Sequence, residues 1–232
     1  TAYLDLAAAT TWPTRKGTAI ELSDVALKEI LADMDGQPLG VKTILRRGER
    51  GREFSICSEW SGSSPREHCR GLVIDPASAV KAPARARIED LTAGLVAVPL
   101  PAQILSAAIR LGPRWRCLRR VWRGEGEGVA ELELPTEYAA ELEQHPLHPA
   151  LLDCALSFIG LWLPAIYVPY GYKTVRIFAA LPQKLSSQIY YAIPDGELPE
   201  QLELDVTLRD LLGTPLVEIK GYSLRRLHDR SR

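Results

Sequence analysis

The chain has 232 residues, with 28 Lys and Arg against 29 Asp and Glu, a formal net charge of −1 and an apolar fraction of 46%. A chain of this length can bury a sizeable core, either as one large domain or as two small units that share an interface. The balanced charge argues against a nucleic-acid binder and against a protein that binds anionic membranes, since both need a strongly basic surface.

The longest apolar run, "LSFIGLWLPAIYVPYGY", is interrupted by Pro164 and Pro169 and is too short to span a bilayer. No signal peptide is recognisable, and the chain begins at Thr1 without a Met. We therefore expect a piece of a longer cytoplasmic protein. The cysteines form no C-x-x-C pair and lack zinc-knuckle spacing, which predicts reduced thiols and no metal site; they are Cys57, Cys69, Cys117 and Cys154.

The first 74 residues predict one helix followed by an antiparallel meander. "TAYLDLAAATTW" has apolar residues at helical spacing, and Pro13 is expected to end that helix. Alternating apolar and polar residues predict strands in the four segments 18–31, 39–48, 52–60 and 66–74. The turn-forming stretches "DMDGQP", "RRGERG" and "SGSSP" separate them.

The composition changes at residue 75. Segment 75–101 is rich in Pro and Ala without strand alternation, which predicts a connector with a helical turn or two, and "AQILSAAIRLG" predicts a short helix closed by Gly112. The remainder repeats the earlier pattern. "RWRCLRRVWRG" and "GVAELELP" predict two strands joined by a "GEGEG" turn, residues 148–162 predict a helix, and four more strands are expected at 174–181, 186–194, 201–210 and 215–227.

Two copies of a helix wrapped by antiparallel strands predict an α+β fold of the double-hotdog type. We place an N-terminal hotdog at residues 1–74, a Pro/Ala-rich connector at 75–104 and a C-terminal hotdog at 105–228. The first unit has no strands ahead of its helix, so it is expected to be partial.

Three stretches resemble, in this order, the dehydratase domain of modular type I polyketide synthases: "GPRWRCLRRVWRGEGEGVAELELP", "HPALLDCAL" and "VPYGYKTVRIF". The resemblance covers almost the whole chain. It implies a double hotdog that removes water from a β-hydroxyacyl chain held on the phosphopantetheine arm of an acyl carrier protein. It further implies no metal or nucleotide cofactor, a homodimer, and neighbouring synthase domains as partners.

The resemblance also implies the site residues. Asp153 matches the family's catalytic Asp in its D-x-x-x-Q/H motif, where Ser157 replaces the Gln or His that helps to hold the carboxylate. The expected pocket and support residues come from the other two motifs, in which Leu111 replaces a Tyr; they are Leu111, Gly112, Pro113, Trp115, Pro169 and Tyr170, besides Ser157.

The family's second catalytic residue is a His in an H-x-x-x-G-x-x-x-x-P motif several dozen residues ahead of the first hotdog helix. This chain has no such motif. We expect the segment that carries it to precede Thr1. The alternative is a dehydratase-like domain that has no such His, and the Leu111 and Ser157 departures favour it.

Other polar residues have more ordinary interpretations. His145 and His148 precede Pro at a helix start, and we interpret both as structural, as we do His68. An acidic carrier protein or its phosphate could dock on Arg114, Arg116 or Arg120, although these residues also suit a solvated strand.

Two other functions stay open. One is a dehydratase-like enzyme that migrates a double bond or closes a pyran or furan ring with the same acid and base. The other is a non-catalytic scaffold that keeps the fold for dimerisation. A His facing Asp153 would separate the enzymes from the scaffold.

Overall fold

The computed structural model describes residues 1–11, 19–31, 40–59, 65–74, 81–100, 111–193 and 199–228. Within these ranges the α-helices are α1 (Ala2–Ala9), α2 (Ile88–Thr92) and α3 (Pro149–Ser157). The strands are β1 (Ile20–Leu27), β2 (Gly40–Gly48), β3 (Gly51–Glu59), β4 (Arg66–Ile74), β5 (Val96–Ala97), β6 (Leu118–Arg123), β7 (Glu127–Glu133), β8 (Tyr167–Ile177), β9 (Lys184–Tyr191), β10 (Gln201–Arg209) and β11 (Pro215–Arg226).

The described strands form one antiparallel sheet in the order β2-β3-β4-β1-β8-β11-β10-β9-β7-β6-β5. Strands β2, β3, β4 and β1 come from the first part of the chain, and the rest from the second part. The two groups join where β1 pairs with β8, with Leu22 opposite Val175 and Val25 opposite Tyr172. The sheet is therefore two half-sheets in series, and the described part of the first half is the smaller one.

Each half-sheet carries one helix. Helix α1 packs against β3, and helix α3 against β7 and β9. Alternating strand residues and the apolar faces of both helices form one buried core, which includes Leu4, Phe54, Leu151, Val175 and Ile219. The core thus runs continuously across the join between the half-sheets.

Local chemistry sets the helix ends. The hydroxyls of Thr10 and Thr11 donate to the carbonyl oxygens of Ala7 and Ala8, at 2.7 and 3.1 Å, so the last turn of α1 is satisfied before Pro13 is reached. Helix α3 begins with Pro149 at its first position, where the missing N–H costs no hydrogen bond. A 3₁₀ turn, Phe158–Leu161, then continues α3 to about the predicted length.

The strands predicted in both halves are confirmed, with displaced boundaries. Strand β1 ends at Leu27 rather than at residue 31, and β6 begins at Leu118 rather than at Arg114, because Pro113–Trp115 is a 3₁₀ helix.

Strand β8 begins at Tyr167, seven residues before the predicted start at Thr174. Pro169 lies at a register shift between β8 and β11, opposite Leu224. The ladder tolerates a residue without an N–H at such an irregularity.

The segment predicted as a connector contains more regular structure than expected. It holds the predicted helical turn, α2, and also the two-residue strand β5, whose Val96 pairs with Arg123 at the sheet edge. The helix predicted at 102–112 lies outside the described residues except for its last two positions. The boundaries 1–74, 75–104 and 105–228 stay predictions.

The join between the half-sheets leaves no room for a side chain at Gly171. A Cβ there would lie 2.7 Å from the carbonyl oxygen of Val25 on β1. We expect Gly171→Ala to lower the free energy of unfolding by about 1–3 kcal/mol, because the backbone of two paired strands must separate. Urea unfolding measures this loss. Gly160→Ala is the matched control, since nothing lies within 4 Å of its Cβ position, and an equal loss in both variants would contradict the argument.

Candidate active site

Asp153 lies in the middle of helix α3 and is partly exposed, whereas the flanking Leu151, Leu152 and Cys154 are buried. It is the fifth of the nine residues of α3 and lies beyond the first turn. Neighbouring side chains therefore act on its carboxyl group more than the helix dipole does. The carboxylate is therefore presented from a helix whose other residues are held by the core.

Both carboxylate oxygens of Asp153 accept hydrogen bonds. The indole N–H of Trp115 donates to Oδ2 at 2.9 Å, and the Thr1 hydroxyl donates to Oδ1 at 3.3 Å. These donors stand 38 and 152 residues away in sequence. The hydrogen bond from Trp115 is the shorter of the two, so Trp115 in particular fixes the direction of the carboxyl group. The start of helix α1 consequently lies beside Asp153.

A short 3₁₀ helix, Pro113–Trp115, places the indole. It begins after Gly112 and has Pro113 at its first position. The thiol of Cys154 donates to the carbonyl oxygen of Trp115 at 3.2 Å, which ties this turn to helix α3. Gly112 and Pro113 therefore act on the site through Trp115.

A cavity of about 710 Å³ adjoins Asp153. Ligand sites for small molecules have volumes of this order. Of the residues predicted at the site, five line it: Leu111, Trp115, Asp153, Ser157 and Pro169. The additional wall, mostly apolar, comes from the end of α3, the 3₁₀ turn after it, and strands β6, β8 and β11, and includes Leu118, Leu156, Phe158, Tyr167, Tyr222 and Leu224. The sequence signal for the β11 residues was only their strand alternation.

Three of the predicted residues do not line this cavity: Gly112, Pro113 and Tyr170. Tyr170 is 49% exposed, and the guanidinium of Arg225 lies 5.1 Å from its ring centre. Strand β8 turns this ring toward solvent, so the motif position alone did not determine the side that it faces.

None of the four histidines hydrogen-bonds to Asp153. His145 Nδ1 lies 2.7 Å from the buried Asp5 carboxylate, His148 Nε2 lies 3.1 Å from Glu141, and His68 Nε2 lies 2.7 Å from the Ser58 hydroxyl. His228 Nε2 lies 2.7 Å from Glu200 at the surface. These contacts support structural roles for His68, His145 and His148. They leave the base that would face Asp153 unassigned among the residues that the structure describes.

Glu141 connects the loop before α3 to the turn that carries Trp115. Its carboxylate accepts hydrogen bonds from Arg114 at 2.8–3.0 Å and is 3.1 Å from His148. Arg114, and secondarily His148, lower the pKa of the Glu141 carboxyl from its usual 4.5 to about 2. This turn is therefore braced by an ion pair close to the site.

The lowered pKa of Glu141 gives a prediction for acid stability. A carboxyl whose pKa is lower in the folded than in the unfolded state contributes stability above pH 4.5, and this contribution disappears as the pH falls from about 4.5 to 2. We expect the melting temperature of Glu141→Gln to fall less steeply over this window than that of the wild type. Differential scanning calorimetry measures it. The exposed Glu137 of the same segment supplies the control variant, Glu137→Gln, which should keep the wild-type slope.

The arginines considered for carrier docking are mostly paired. Arg114 binds Glu141, and Arg120 forms an ion pair with Glu131 on the neighbouring strand β7. Arg116 is exposed next to Trp115. Since paired charges attract a partner less, Arg116 is the strongest remaining candidate of the three, and carrier docking stays a prediction.

The cysteines are free and buried. Burial raises the pKa of the Cys69 thiol to about 12, and the adjacent Cys117 thiol and burial raise that of Cys154. Among the described residues, no three His, Cys, Asp or Glu side chains are grouped to hold a metal ion. No helix in the described ranges is both long and apolar enough to cross a membrane.

Solved structures share this architecture. The dehydratase domain from the CurJ module of curacin polyketide synthase superposes with a TM-score of 0.79 at 19% identity, covering 98% of this chain and 82% of that one. A trans-acyltransferase polyketide synthase enoyl-isomerase superposes with a TM-score of 0.75 at 14% identity, covering 97% and 88%. A bifunctional dehydratase-cyclase domain from ambruticin biosynthesis superposes with a TM-score of 0.79 at 23% identity, covering 97% and 80%. The predicted double hotdog is confirmed.

Sequence relatives agree with the fold. Polyketide synthase PksN of Bacillus subtilis (strain 168) is 24% identical over 246 residues, which cover 98% of this chain and 4% of that protein. Polyketide synthase GfsB of Streptomyces halstedii is 29% identical over 133 residues, which cover 54% and 2%. The chain thus spans a few per cent of the length of these multidomain relatives.

The model of one family, the polyketide synthase dehydratase N-terminal domain, matches residues 90–232, more than half of the chain. The chain belongs to this family of polyketide synthase dehydratase domains.

Proposed function

We propose that this domain removes water from a β-hydroxyacyl thioester carried by an acyl carrier protein and leaves an α,β-unsaturated thioester. The observation that carries the proposal is the Asp153 carboxylate, fixed by Trp115 and Thr1 at the wall of a cavity of about 710 Å³. A carboxyl group held this way beside an apolar cavity suits proton transfer to a bound chain.

The reaction needs a base and an acid on opposite sides of the bound chain. A base takes the α-proton. The electron pair of the broken C–H bond forms the new double bond, and the bond from the β-carbon to oxygen breaks. Asp153 gives its proton to the departing oxygen, which leaves as water. The proposed base is the His that the family carries ahead of its first hotdog helix.

The thioester oxygen gains negative charge while the α-proton leaves. Helix α1 starts beside Asp153, and the first backbone N–H groups of a helix have no partner within it. These N–H groups are the proposed donors to the thioester oxygen, because donors aimed at a developing charge lower the barrier.

Several properties of the whole protein belong to the same proposal. The substrate arrives on the phosphopantetheine arm of the carrier protein, and loss of water by acid–base catalysis needs no metal or nucleotide cofactor. It acts as a homodimer in the cytoplasm, next to other synthase domains. The lengths of the polyketide synthase relatives support the neighbouring domains.

The test uses the longest natural polypeptide that contains this chain, incubated with (3R)- and (3S)-hydroxyacyl thioesters of several lengths on a carrier protein. Intact mass spectrometry should show the loss of one water from at least one substrate. If every chain length and both configurations keep their mass and their retention time, the dehydratase proposal fails and the scaffold is favoured.

A second candidate is a dehydratase-like isomerase or a pyran- or furan-forming cyclase. The specific observation in its favour is that Leu111 and Ser157, which depart from the dehydratase motifs, both line the cavity. An enoyl-isomerase and a dehydratase-cyclase also share the fold. A product of unchanged mass but shifted retention, formed from an unsaturated substrate that carries a second hydroxyl, would identify this activity.

A further inference from the structure

Two tyrosines on neighbouring strands form a stacked pair beside the site. Tyr172 on β8 lies opposite Tyr222 on β11, with ring centres 4.8 Å apart and ring planes at 5°. Each residue is only 2% exposed. Both rings therefore lie in the core, where phenylalanine would bury the same area without a polar atom.

The hydroxyl of Tyr172 is buried and has no hydrogen-bond partner among the described residues. Buried tyrosine hydroxyls normally find a partner, because an unpaired one has lost its hydrogen bonds to water without replacing them. No hydrogen bond of normal geometry joins it to Tyr222, although the two rings stack. Packing alone does not account for this hydroxyl.

Tyr222 brings the pair to the wall of the cavity that Asp153 also lines. The apolar Leu224 lies on the same wall. Burial is the main cause that raises the pKa of both tyrosines; Tyr172 and then Asp153 raise the pKa of Tyr222 further, and Asp153 raises that of Tyr172. Both tyrosines consequently keep their protons at neutral pH and can donate hydrogen bonds.

The neighbouring wall offers little other polar chemistry. Leu156, Phe158 and Leu224 contribute hydrocarbon to it. A saturated acyl chain would fill this space but would offer no acceptor to Tyr222, which lines the cavity. A chain with an oxygen near Asp153 would accept a hydrogen bond from Tyr222, and a site built to pair with a ligand oxygen rejects ligands that lack one.

We infer that Tyr222, whose ring stacks on that of Tyr172, donates a hydrogen bond to an oxygen of the acyl chain next to Asp153. The cavity would thereby select chains oxygenated at the β-carbon over saturated chains. This inference rests on the proposed function for the acyl thioester itself. It adds Tyr172 and Tyr222 as specificity-determining residues, and the family motifs have no tyrosine at either position.

The experiment compares two thioesters of equal length on pantetheine, a 3-oxoacyl and a saturated acyl chain, neither of which can lose water. Isothermal titration calorimetry measures their binding to the longest natural polypeptide and to Tyr222→Phe. We expect the variant to bind the 3-oxoacyl chain about fivefold more weakly and the saturated chain as the wild type does, since one neutral hydrogen bond is lost. Tyr172→Phe should change binding in the same direction and by less.

Tyr190→Phe is the matched control. Tyr190 is 49% exposed, and its hydroxyl contacts Gln188 away from the cavity. It should bind both thioesters like the wild type, and unchanged melting temperatures would show that the Phe variants keep the fold. Equal affinities of Tyr222→Phe and the wild type for the 3-oxoacyl chain, or equal weakening of both chains, would overturn the inference and leave the proposed function standing. If the wild type binds neither thioester, the proposed function fails and the inference fails with it.

Discussion

Asp153→Asn is expected to slow the loss of water from a β-hydroxyacyl thioester by about 100- to 10,000-fold, because an amide cannot supply the proton that the departing hydroxyl needs. The measurement is the rate of substrate disappearance by mass spectrometry under saturating substrate. Since the variant removes a proton donor and not the cavity, the effect should fall on kcat with little change in KM.

The structure gives a reason why this variant should fold. An Asn oxygen can still accept the hydrogen bond from the indole N–H of Trp115, and its amide group can donate to the Thr1 hydroxyl, which both donates and accepts. Asp24→Asn is the matched control, because Asp24 is exposed and adopts a positive φ of 51° that Asn tolerates. If Asp153→Asn retains more than a tenth of the wild-type rate, Asp153 is not the acid.

Most of the fold could be predicted because each element is specified by residues that are neighbours in the sequence. Strand alternation identified each strand of the two half-sheets apart from β5, and turn residues separated them. Strand β5 was not predicted because two residues cannot show an alternation. It forms only through its pairing with β6. The start of β8 was not predicted. Pro169 is unusual in a central strand, and only the pairing with β11 shows that the ladder is irregular at Leu224.

The site was predictable to a smaller extent. The motif around Asp153 identified the carboxylate, because its position within an apolar helix is a local property. The contacts that give it a function are not local: Trp115 and Thr1 are brought to it by the turn at Pro113–Trp115 and by helix α1. No motif identified Tyr222. Strand alternation assigns it to the core face of β11 but does not show what packs against that face.

The second large effect should come from the indole of Trp115. Trp115→Phe keeps an aromatic ring in the turn but removes the N–H that lies 2.9 Å from Asp153 Oδ2. Asp153 must carry its proton to act as the acid, and a hydrogen bond to an uncharged group contributes about 0.5–1.5 kcal/mol, so we expect kcat to fall by about two- to tenfold as the carboxyl group loses its direction. Trp115 acts through Asp153 as a positioning residue. The affinity for a saturated acyl thioester, which does not need the acid, should stay within about twofold.

Trp122→Phe is the control for the substitution itself. Trp122 is half-buried on β6, with the Arg120 guanidinium 5.4 Å from its ring centre, and it does not line the cavity. Its replacement should leave kcat unchanged. Equal losses of kcat in both variants would mean that a tryptophan in this region serves only packing.

A rescue distinguishes positioning from packing more sharply. Ser157 lies four residues after Asp153, one helical turn away, where the two side chains are neighbours. A Gln at 157 restores the donor that the family's motif has at this position, and it can reach the same carboxylate. The double variant Trp115→Phe with Ser157→Gln should therefore regain about half or more of the lost activation free energy, measured as kcat. If the double variant is no faster than Trp115→Phe alone, while Ser157→Gln alone is fully active, the indole has a role other than holding Asp153.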